Sequence, residues 1–453
     1  MADFDVIFIG SGHACWHGAL LLKMAGKKVA LVERDVLGGT CTNYGCDAKI
    51  LLDSPFELKE ALDRYRGIGL AQEAQVDWNA LMAYKKQVIG FMPQALEGMF
   101  GSFGFEVLRG DAHFTDAHTI EAGGKTYTAR HFVIGTGQEY IPLDIPGKEY
   151  FHNSRDFLSL DELPAHLTFV GAGIISMEFA SIALSLGRQV DIVTDTDTAL
   201  AMYPQEYVKK IVSKMEAQGA RFYWNAKVTE IVKTGETYTL KGADGLSIDT
   251  DYLLVAVGRR ANVDGLGLDA LGIRYSGRGI VVDDHLRTAV RHIYASGDVI
   301  DKTVPKLTPT AEFESNYIAL DILNPLNPAI HYPVIPNLVF TLPRIAQVGV
   351  SRREAEASPS EFRIEEVAFG QTMSWLNKNE QEAHITYIFD RKNHLVGAAV
   401  FSDDAGSYID VLTLIIHEKL GIKELGKMVF AFPTPTYGLI SSLLPLFMKK
   451  EQA

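Results

Sequence analysis

The sequence has little cysteine, no long hydrophobic run and no cluster of basic residues. Three cysteines in 453 residues argue against a disulfide framework, and in a reducing cytosol two close cysteines are more often catalytic or metal-binding. No run of about 18 apolar residues is present, so we expect no membrane span. The net charge of −13 argues against a nucleic-acid partner. The opening MADFDVIFIG lacks the basic start of a secretory signal, which predicts a cytoplasmic protein.

The N-terminal sequence predicts a strand, a glycine turn, a helix and a second strand. Residues 4–9 are apolar and β-branched, which predicts a buried strand. Gly10, Ser11 and Gly12 follow it, then a helix over about 16–25, and then a strand that ends at Glu33. This is the pattern of a nucleotide-binding βαβ unit, in which glycines let the backbone approach a pyrophosphate and the acid binds a ribose.

The same pattern recurs about 160 residues later. A predicted strand at 167–170 runs into Gly171 and Gly173, and a helix at 177–186 leads to a strand at 189–193. One such turn is a weak signal, but two in one chain predict two nucleotide-binding units. The fold class is therefore α/β, with two Rossmann-like domains.

The length and the proline distribution suggest further boundaries. At about 150 residues per domain the chain corresponds to roughly three domains. The segment 141–147 reads as a connector, and prolines cluster between 325 and 336. Beyond that cluster, strand-like runs at 337–342, 384–389 and 394–401 precede an amphipathic helix at about 406–420. We interpret this part as a separate C-terminal α+β domain.

The chemistry is concentrated in the segment GGTCTNYGCDAK at 38–49. Cys41 and Cys46 are close enough to form a small ring if a helix begins between them, and a helix N-terminus stabilises a thiolate. This suits a cycling dithiol. Two free core cysteines or half of a zinc site remain alternatives, although the sequence offers no obvious further zinc ligands. Cys15 is interpreted as a small packing residue.

These motifs together resemble the pyridine nucleotide–disulfide oxidoreductases, the family of glutathione reductase, dihydrolipoamide dehydrogenase and mercuric reductase. Besides the two glycine turns and the cysteine segment, the similar stretches are VAVGRRAN at 255–262, YASGDV at 294–299 and VFTLPRIAQVGVS at 339–351. The resemblance implies an FAD domain at 1–150 and 276–335, an NAD(P) domain at 151–275 and a dimerisation domain at 336–453. It also implies a homodimer whose active sites are completed by the partner subunit.

The resemblance assigns roles to individual positions. Cys46 would lie against the flavin as a thiolate, Cys41 would meet the substrate, and Lys49 would pair with Glu178. The positions implied for FAD are Gly10, Ser11, Gly12, Glu33, Thr40, Lys49, Ala112, Thr136, Gly137, Asp298, Leu307 and Thr308. The positions implied for the nicotinamide nucleotide are Gly171, Gly173, Glu178, Thr194, Asp195 and Gly258. Electrons would pass from the nicotinamide nucleotide to FAD, to the cysteine pair and to a small-molecule acceptor.

The sequence favours NADH over NADPH. A 2′-phosphate is usually bound by arginine, and residues 189–220 contain none, whereas Asp195 and Asp197 would repel it. Thr194 occupies the position where an NADH-binding glutamate is usual, so the match is imperfect. The tyrosine that gates the nicotinamide pocket in the reductases corresponds to Ile174.

The C-terminal segment departs from the family pattern. Most disulfide-reducing members have a His-Pro-Thr histidine that protonates the leaving thiolate from the partner subunit, but this chain has Phe432 there and Tyr437 in place of the supporting glutamate. Phenylalanine transfers no proton, and losing acid–base catalysis costs about 10² to 10⁴ in rate. Tyr437 or Asp47 could substitute for it.

Three functions follow from this departure: a reductase of a low-molecular-weight disulfide, a reductase of a metal ion or quinone, or a flavin redox sensor with little turnover. Mercuric reductase also lacks the histidine, but its C-terminal cysteine pair is absent here because no cysteine follows Cys46. We expect no bound metal.

Overall fold

The first nucleotide-binding unit is built on a parallel sheet. The computed structural model describes residues 2–449. Its first elements are β1 (Phe4–Ile9), α1 (His13–Met24), β2 (Val29–Glu33), α2 (Gly39–Tyr44), α3 (Cys46–Asp63), α4 (Trp78–Ser102), β3 (Glu106–Arg109), β4 (Ala112–Asp116), β5 (Thr119–Ala122), β6 (Lys125–Ile134) and β7 (Gln138–Tyr140). β1 lies between β2 and β6, parallel to both, and β2 pairs with β3. The predicted βαβ unit is present, with a helix that begins at His13 rather than near 16.

The second unit repeats this arrangement. Its elements are α5 (Ser154–Phe157), β8 (His166–Val170), α6 (Ile174–Ser185), β9 (Gln189–Val193), α7 (Gln205–Ala217), β10 (Arg221–Tyr223), β11 (Val228–Thr234), β12 (Thr237–Gly242), β13 (Ser247–Thr250) and β14 (Tyr252–Val255). The parallel sheet has the order β10-β9-β8-β14, and β11 to β13 form a separate antiparallel sheet. α6 is buried along most of its length because its residues are almost all apolar or small.

The chain then returns to the first unit. Its next elements are β15 (Arg259–Ala261), β16 (Tyr275–Ser276), β17 (Gly279–Ile280), β18 (Ile293–Ala295) and α8 (Thr308–Leu323). β15 pairs with β7, and β18 joins the first sheet beside β6. Val263, Leu266 and Leu268 are buried in the core of the first unit. Residues 259–275 therefore pack with the first unit. The sequence places the boundary at 275, but the chain already returns to the first unit at β15.

The C-terminal unit is an antiparallel sheet covered by helices. Its elements are β19 (Asn337–Val339), β20 (Arg344–Gly349), α9 (Arg352–Ala357), β21 (Phe362–Val367), α10 (Met373–Leu376), β22 (His384–Asp390), β23 (Leu395–Ser402), α11 (Ala405–His417), α12 (Ile422–Leu425) and α13 (Pro435–Leu443). The strand order is β19-β20-β23-β22-β21, and α11 packs on β20 and β23. The expected α+β domain is thus present.

Helices α3 and α4 connect the units. Ala48, Leu52 and Phe56 on α3 are buried in the core of the second unit, together with Val339 of the C-terminal unit. This packing fixes α3, whose first residue is Cys46, between the units. None of the helices within residues 2–449 combines the length and hydrophobicity needed to cross a membrane.

Candidate active site

The first glycine turn brings three backbone segments close together. Gly10 has φ +116°, and a Cβ there would lie 2.7 Å from the carbonyl oxygen of Gly135. Gly39, at φ +68°, would place a Cβ 2.8 Å from the Cα of Gly12. Only glycine is compatible with these conformations and separations. The N-terminus of α1 therefore lies directly against the N-terminus of α2, which leaves a backbone cradle of the kind that binds a pyrophosphate.

Glu33 is anchored to this turn. Its Oε2 accepts hydrogen bonds from the Ser11 amide at 3.2 Å and the Ser11 hydroxyl at 2.5 Å. Its Oε1 accepts one bond, from the Asp35 amide at 2.9 Å. A carboxylate oxygen can accept two hydrogen bonds, so Oε1 can also accept one from a ribose hydroxyl. The cradle and the acid together fit the adenosine diphosphate portion of FAD.

The other positions predicted for FAD lie on further elements and loops of the first unit. Thr136 follows β6 and donates to the carbonyl of Asn262 at 2.7 Å, which ties the loop to the returning chain. Ala112 is buried on β4. Asp298 lies in the short turn before α8, and Leu307 is the N-cap residue of that helix. The remaining positions in or next to this region are Thr40, Gly137 and Thr308.

The two redox cysteines lie on consecutive helices. Cys41 is in α2 and Cys46 begins α3, with Gly45 between the helices. Both are free thiols, and the Cys46 Sγ lies 3.5 Å from the Thr308 Oγ1. Cys15, in contrast, is fully buried, with its Sγ 3.7 Å from the Ile9 carbonyl oxygen, as expected of a packing residue.

The two thiols differ in acidity. The hydrogen bond from Cys41 lowers the pKa of Cys46 to about 6, and Thr308 and Lys49 act in the same direction. The pKa of Cys41 is raised, chiefly because it donates this hydrogen bond and also because it is partly buried. At neutral pH the pair therefore holds one thiolate, at Cys46, and one thiol, at Cys41.

Lys49 and Glu178 form an ion pair between the two nucleotide-binding units. The Lys49 Nζ lies 3.0 and 2.9 Å from the two carboxylate oxygens of Glu178. Glu178 is buried and also accepts a hydrogen bond from the Phe340 amide at 2.9 Å. The Lys49 Nζ lies 3.8 Å from the centroid of the Phe340 ring. The ion pair implied by the resemblance is present, one helical turn after Cys46.

The second glycine turn is enclosed at its first glycine and open at its second. A Cβ on Gly171 would lie 2.5 Å from the Ala256 carbonyl oxygen, whereas a Cβ on Gly173 would meet no atom within 4 Å, and the neighbouring Ile174 is exposed. Thr194, at the end of β9, is buried, with its Oγ1 2.8 Å from the Thr196 Oγ1, whereas Asp195 is exposed. The other predicted positions at this edge of the sheet are Gly171, which follows β8, and Gly258, which follows β14.

A buried aspartate within β9 binds the arginine that follows in β10. Asp191, in β9, accepts hydrogen bonds from the Nε and Nη2 of Arg221 at 2.6 and 2.7 Å. Its Oδ2 also lies 2.9 Å from the His166 Nε2. These contacts hold Arg221, the first arginine after β9, away from a role as a free phosphate ligand.

The C-terminal segment presents an aromatic pair. The rings of Phe432 and Tyr437 meet edge to face, with centroids 5.0 Å apart. The Tyr437 amide donates to the Thr434 Oγ1 at 3.1 Å, at the start of α13. Phe432 is 75% exposed. These contacts lie within the C-terminal unit, so the contacts of a single chain do not bring Tyr437 to the cysteines.

Several polar residues near the cysteines were not predicted from the sequence. The side-chain amide of Asn43, buried in α2, donates to the carbonyls of Leu37 and Gly39 at 2.8 and 3.0 Å, which braces the cysteine loop. His13 and His17 pair on α1. Their spacing of four residues on a predicted helix was the available signal, since residues at i and i+4 share a helix face.

A metal at the cysteine pair finds no further support. Among residues 2–449 no three histidine, cysteine, aspartate or glutamate side chains come together as a metal site. The zinc alternative for Cys41 and Cys46 therefore lacks additional ligands in this part of the chain.

Comparisons with known proteins agree with this geometry. Residues 4–315 match the family model described as pyridine nucleotide-disulphide oxidoreductase, and residues 335–438 match the dimerisation domain of that family. The chain is 28% identical to a mercuric reductase of Bacillus cereus, over 98% of this chain and 71% of the relative. It is also 28% identical to a dihydrolipoyl dehydrogenase of Bacillus subtilis, over 96% of this chain and 97% of the relative.

A solved structure has the same fold. It is described as the HOCl-induced flavoprotein disulfide reductase RclA from Escherichia coli, with a TM-score of 0.87, 23% sequence identity, and coverage of 97% of this chain and 99% of that one. The chain is therefore an oxidoreductase and a flavoprotein, and it carries a dimerisation domain that supports a homodimer. It belongs to the pyridine nucleotide–disulphide oxidoreductase family.

Proposed function

We propose that this enzyme passes electrons from NADH through FAD to the Cys41–Cys46 pair and on to a low-molecular-weight disulfide. The observation that carries the proposal is the unequal thiol pair, with a thiolate-stabilised Cys46 one helical turn from the Lys49–Glu178 ion pair. A dithiol with one preformed thiolate is suited to exchange with an external disulfide.

The backbone cradle at Gly10, Gly12 and Gly39, with Glu33, would hold FAD. Bound FAD supplies two-electron chemistry between a nicotinamide and the cysteine pair. The chain orients the reacting groups, because α3 is fixed in the core of the second unit and Thr308 contacts the Cys46 sulfur. Lys49 places a positive charge near the Cys46 thiolate.

The thiols then carry out the exchange. Cys41 attacks one sulfur of the acceptor disulfide, and a mixed disulfide forms as the first thiol leaves. The Cys46 thiolate attacks the Cys41 sulfur, which releases the second thiol and forms the internal disulfide. Two electrons pass from the cysteine pair to the acceptor in this sequence.

NADH is the preferred coenzyme in this proposal. A 2′-phosphate near Thr194 would meet the exposed carboxylate of Asp195, and Arg221 is occupied by Asp191. Steady-state measurement with each coenzyme should give a higher kcat/KM for NADH. A higher value for NADPH would contradict the coenzyme assignment and leave the thiol chemistry untouched.

The acceptor is tested with the purified holoenzyme under anaerobic conditions. The enzyme is reduced with NADH, freed of excess NADH and mixed with disulfides, quinones or metal ions, while the long-wavelength absorbance of the thiolate–flavin pair is followed. We expect rapid loss of this absorbance with disulfides, and none in Cys41→Ser. Reoxidation by a quinone or metal ion that persists in Cys41→Ser would instead support those acceptors. Reduction by NADH without reoxidation by any acceptor would support the sensor.

A further inference from the structure

A second set of charges lies on α3 beyond the Lys49–Glu178 ion pair. Lys49, Asp53 and Glu57 follow one another at intervals of four residues, so they share one face of the helix. Asp53 is buried, with 1% of its surface exposed, and the charges of Lys49 and Glu178 both act on its carboxylate. A buried carboxylate needs a cation beside it. Lys49 is therefore close to two carboxylates, Glu178 and Asp53, that can each bind an ammonium group.

An arginine from the C-terminal unit neutralises Asp53. Arg344, at the start of β20, donates from its Nη2 to the Asp53 Oδ2 at 2.8 Å and to the Glu57 Oε2 at 2.5 Å. The arginine is itself buried, and charges that are removed from water interact more strongly than exposed ones. Asp53 thus receives its cation from another unit, although a lysine lies one turn away on its own helix.

The ring of Phe340 links this arginine to the ion pair. The Lys49 Nζ lies 3.8 Å and the Arg344 Cζ lies 4.6 Å from the centroid of the ring, and a cation is attracted to the face of an aromatic ring. The backbone amide of Phe340 donates to the Glu178 Oε1 at 2.9 Å. Direct contacts therefore connect Arg344 with both members of the Lys49–Glu178 pair.

Asp53 retains the capacity to bind a second cation. Its Oδ1 is buried and has no hydrogen-bond partner within residues 2–449. The charged groups that face Asp53 come from three elements: Arg344 from β20, Glu178 from α6, and Lys49 and Glu57 from α3. The buried lysine of α4, Lys85, instead donates to the carbonyl of Leu158 at 2.7 Å. Without the charge of Arg344, Lys49 would be the cation on this face of α3 that could bind Asp53.

We propose that Arg344 is a positioning residue for Lys49: by neutralising Asp53, it keeps the lysine on Glu178 and beside the Cys46 sulfur. The inference rests on the proposed function, in which Cys46 is the thiolate of the reduced enzyme. The low pKa of Cys46 is caused first by the hydrogen bond from Cys41, and the charge of Lys49 adds to it. Asp53 lies about 10 Å beyond Cys46 along the helix axis. A lysine that binds Asp53 therefore moves away from the thiolate.

The ionisation of Asp53 makes this role dependent on pH. Burial raises the pKa of Asp53 to about 7, although Arg344 lowers it. Loss of the arginine charge raises this pKa further. Below the pKa the neutral acid does not compete for Lys49, and above it the carboxylate does. Removal of the arginine charge should therefore displace Lys49 only on the alkaline side of that pKa.

The test compares Arg344→Gln with wild type in redox titrations of the holoenzyme. The enzyme is equilibrated anaerobically with mixtures of NADH and NAD⁺ at a series of pH values, and the long-wavelength absorbance of the thiolate–flavin state is measured. A cation near a thiolate contributes at least about one pKa unit, which is a tenfold change in equilibrium. We expect the equilibrium constant for reduction to fall by about tenfold in Arg344→Gln at alkaline pH, and to approach the wild-type value at acidic pH.

A second substitution separates this role from a structural one. Asp53→Asn removes the competing carboxylate, so Arg344→Gln/Asp53→Asn should have the wild-type equilibrium constant at every pH. The same loss in the double variant, or a loss in Arg344→Gln that does not change with pH, would overturn the inference. If Arg344→Gln does not fold, the double variant decides in the same way, because removal of both partners of a buried pair is tolerated far better than removal of one.

The route through Lys49 has its own test. In the Lys49→Met background, Arg344→Gln should produce no pH-dependent loss, and a loss as large as in the parent enzyme would show that the arginine acts by another route. Arg287→Gln is the matched control, because Arg287 pairs with the buried Asp321 in the first unit. It should leave the equilibrium constant unchanged. A wild type that NADH does not convert to the thiolate–flavin state would instead overturn the proposed function.

Discussion

The two glycine turns of this chain share a sequence pattern but differ in their surroundings. The first is enclosed: Gly12 lies against Gly39, and Glu33 is bound by Ser11. The second is as tight at its first glycine, Gly171, where a Cβ would lie 2.5 Å from the Ala256 carbonyl oxygen, but it is open at Gly173, which has no atom within reach of a Cβ, and Ile174 is exposed. The residue that takes the place of Glu33 is Thr194, whose hydroxyl contacts Thr196 rather than the glycine turn. This difference is expected if the first turn holds its nucleotide permanently and the second turn binds a nucleotide that exchanges with solvent.

The largest expected loss of FAD follows from a change at the contact between the helices of the first turn. Gly39→Ala would place a Cβ 2.8 Å from the Cα of Gly12, at φ +68°. Strain of this kind costs about 1–3 kcal/mol and is relieved if α1 and α2 move apart. The amount of bound FAD should therefore fall by at least about tenfold, as measured by the ratio of flavin to protein absorbance.

Gly173→Ala is the comparison at the second turn, where the glycine has φ −84°. It meets no atom within 4 Å, so FAD content should be normal and only the KM for the nicotinamide nucleotide should rise. Equal FAD loss in both variants would remove the distinction between an enclosed and an open turn.

The next effect concerns the ion pair that joins the two units. Lys49→Met leaves the buried Glu178 with the Phe340 amide as its remaining donor. Removing one partner of a buried pair costs about 3–5 kcal/mol, so the denaturant midpoint should fall. Lys86→Met, which removes an exposed ion pair with Asp161, should cost at most about 1 kcal/mol. Similar midpoints for the two variants would show that the Lys49–Glu178 pair contributes little to stability.

A smaller effect is expected from the acid of the first turn. Glu33→Gln removes the charge that Ser11 and Asp35 bind, and hydrogen bonds to charged groups contribute about 1.5–3 kcal/mol. FAD should therefore dissociate at least about tenfold more readily, as measured by flavin fluorescence after dialysis. Thr194→Val, at the corresponding place in the second unit, should leave FAD binding unchanged. Unchanged FAD retention in Glu33→Gln would contradict the role given to this acid.

The sequence predicted the structural features that depend on local residue patterns. Strand, turn and helix order in both units follows from β-branched runs and glycines, and Lys49 with Glu178 followed from the resemblance. The return of 259–275 to the first unit did not, because it depends on the pairing of β15 with β7, far apart in the sequence. The contact between His17 and Glu312 was missed for a similar reason, because it depends on the packing of α1 on α8.

The smallest expected effect is on the acidity of Cys46. Its pKa of about 6 is set first by the hydrogen bond from Cys41 and then by Thr308. Thr308→Val removes only the second bond, so the pKa should rise by less than about one unit, whereas Cys41→Ala should raise it further. Because the thiolate is the reactive form, alkylation of Cys46 should fall as the pH drops through this pKa. A titration of alkylation rate against pH in each variant measures the shift, and a larger shift in Thr308→Val than in Cys41→Ala would show that α8, rather than the paired thiol, sets the charge on Cys46.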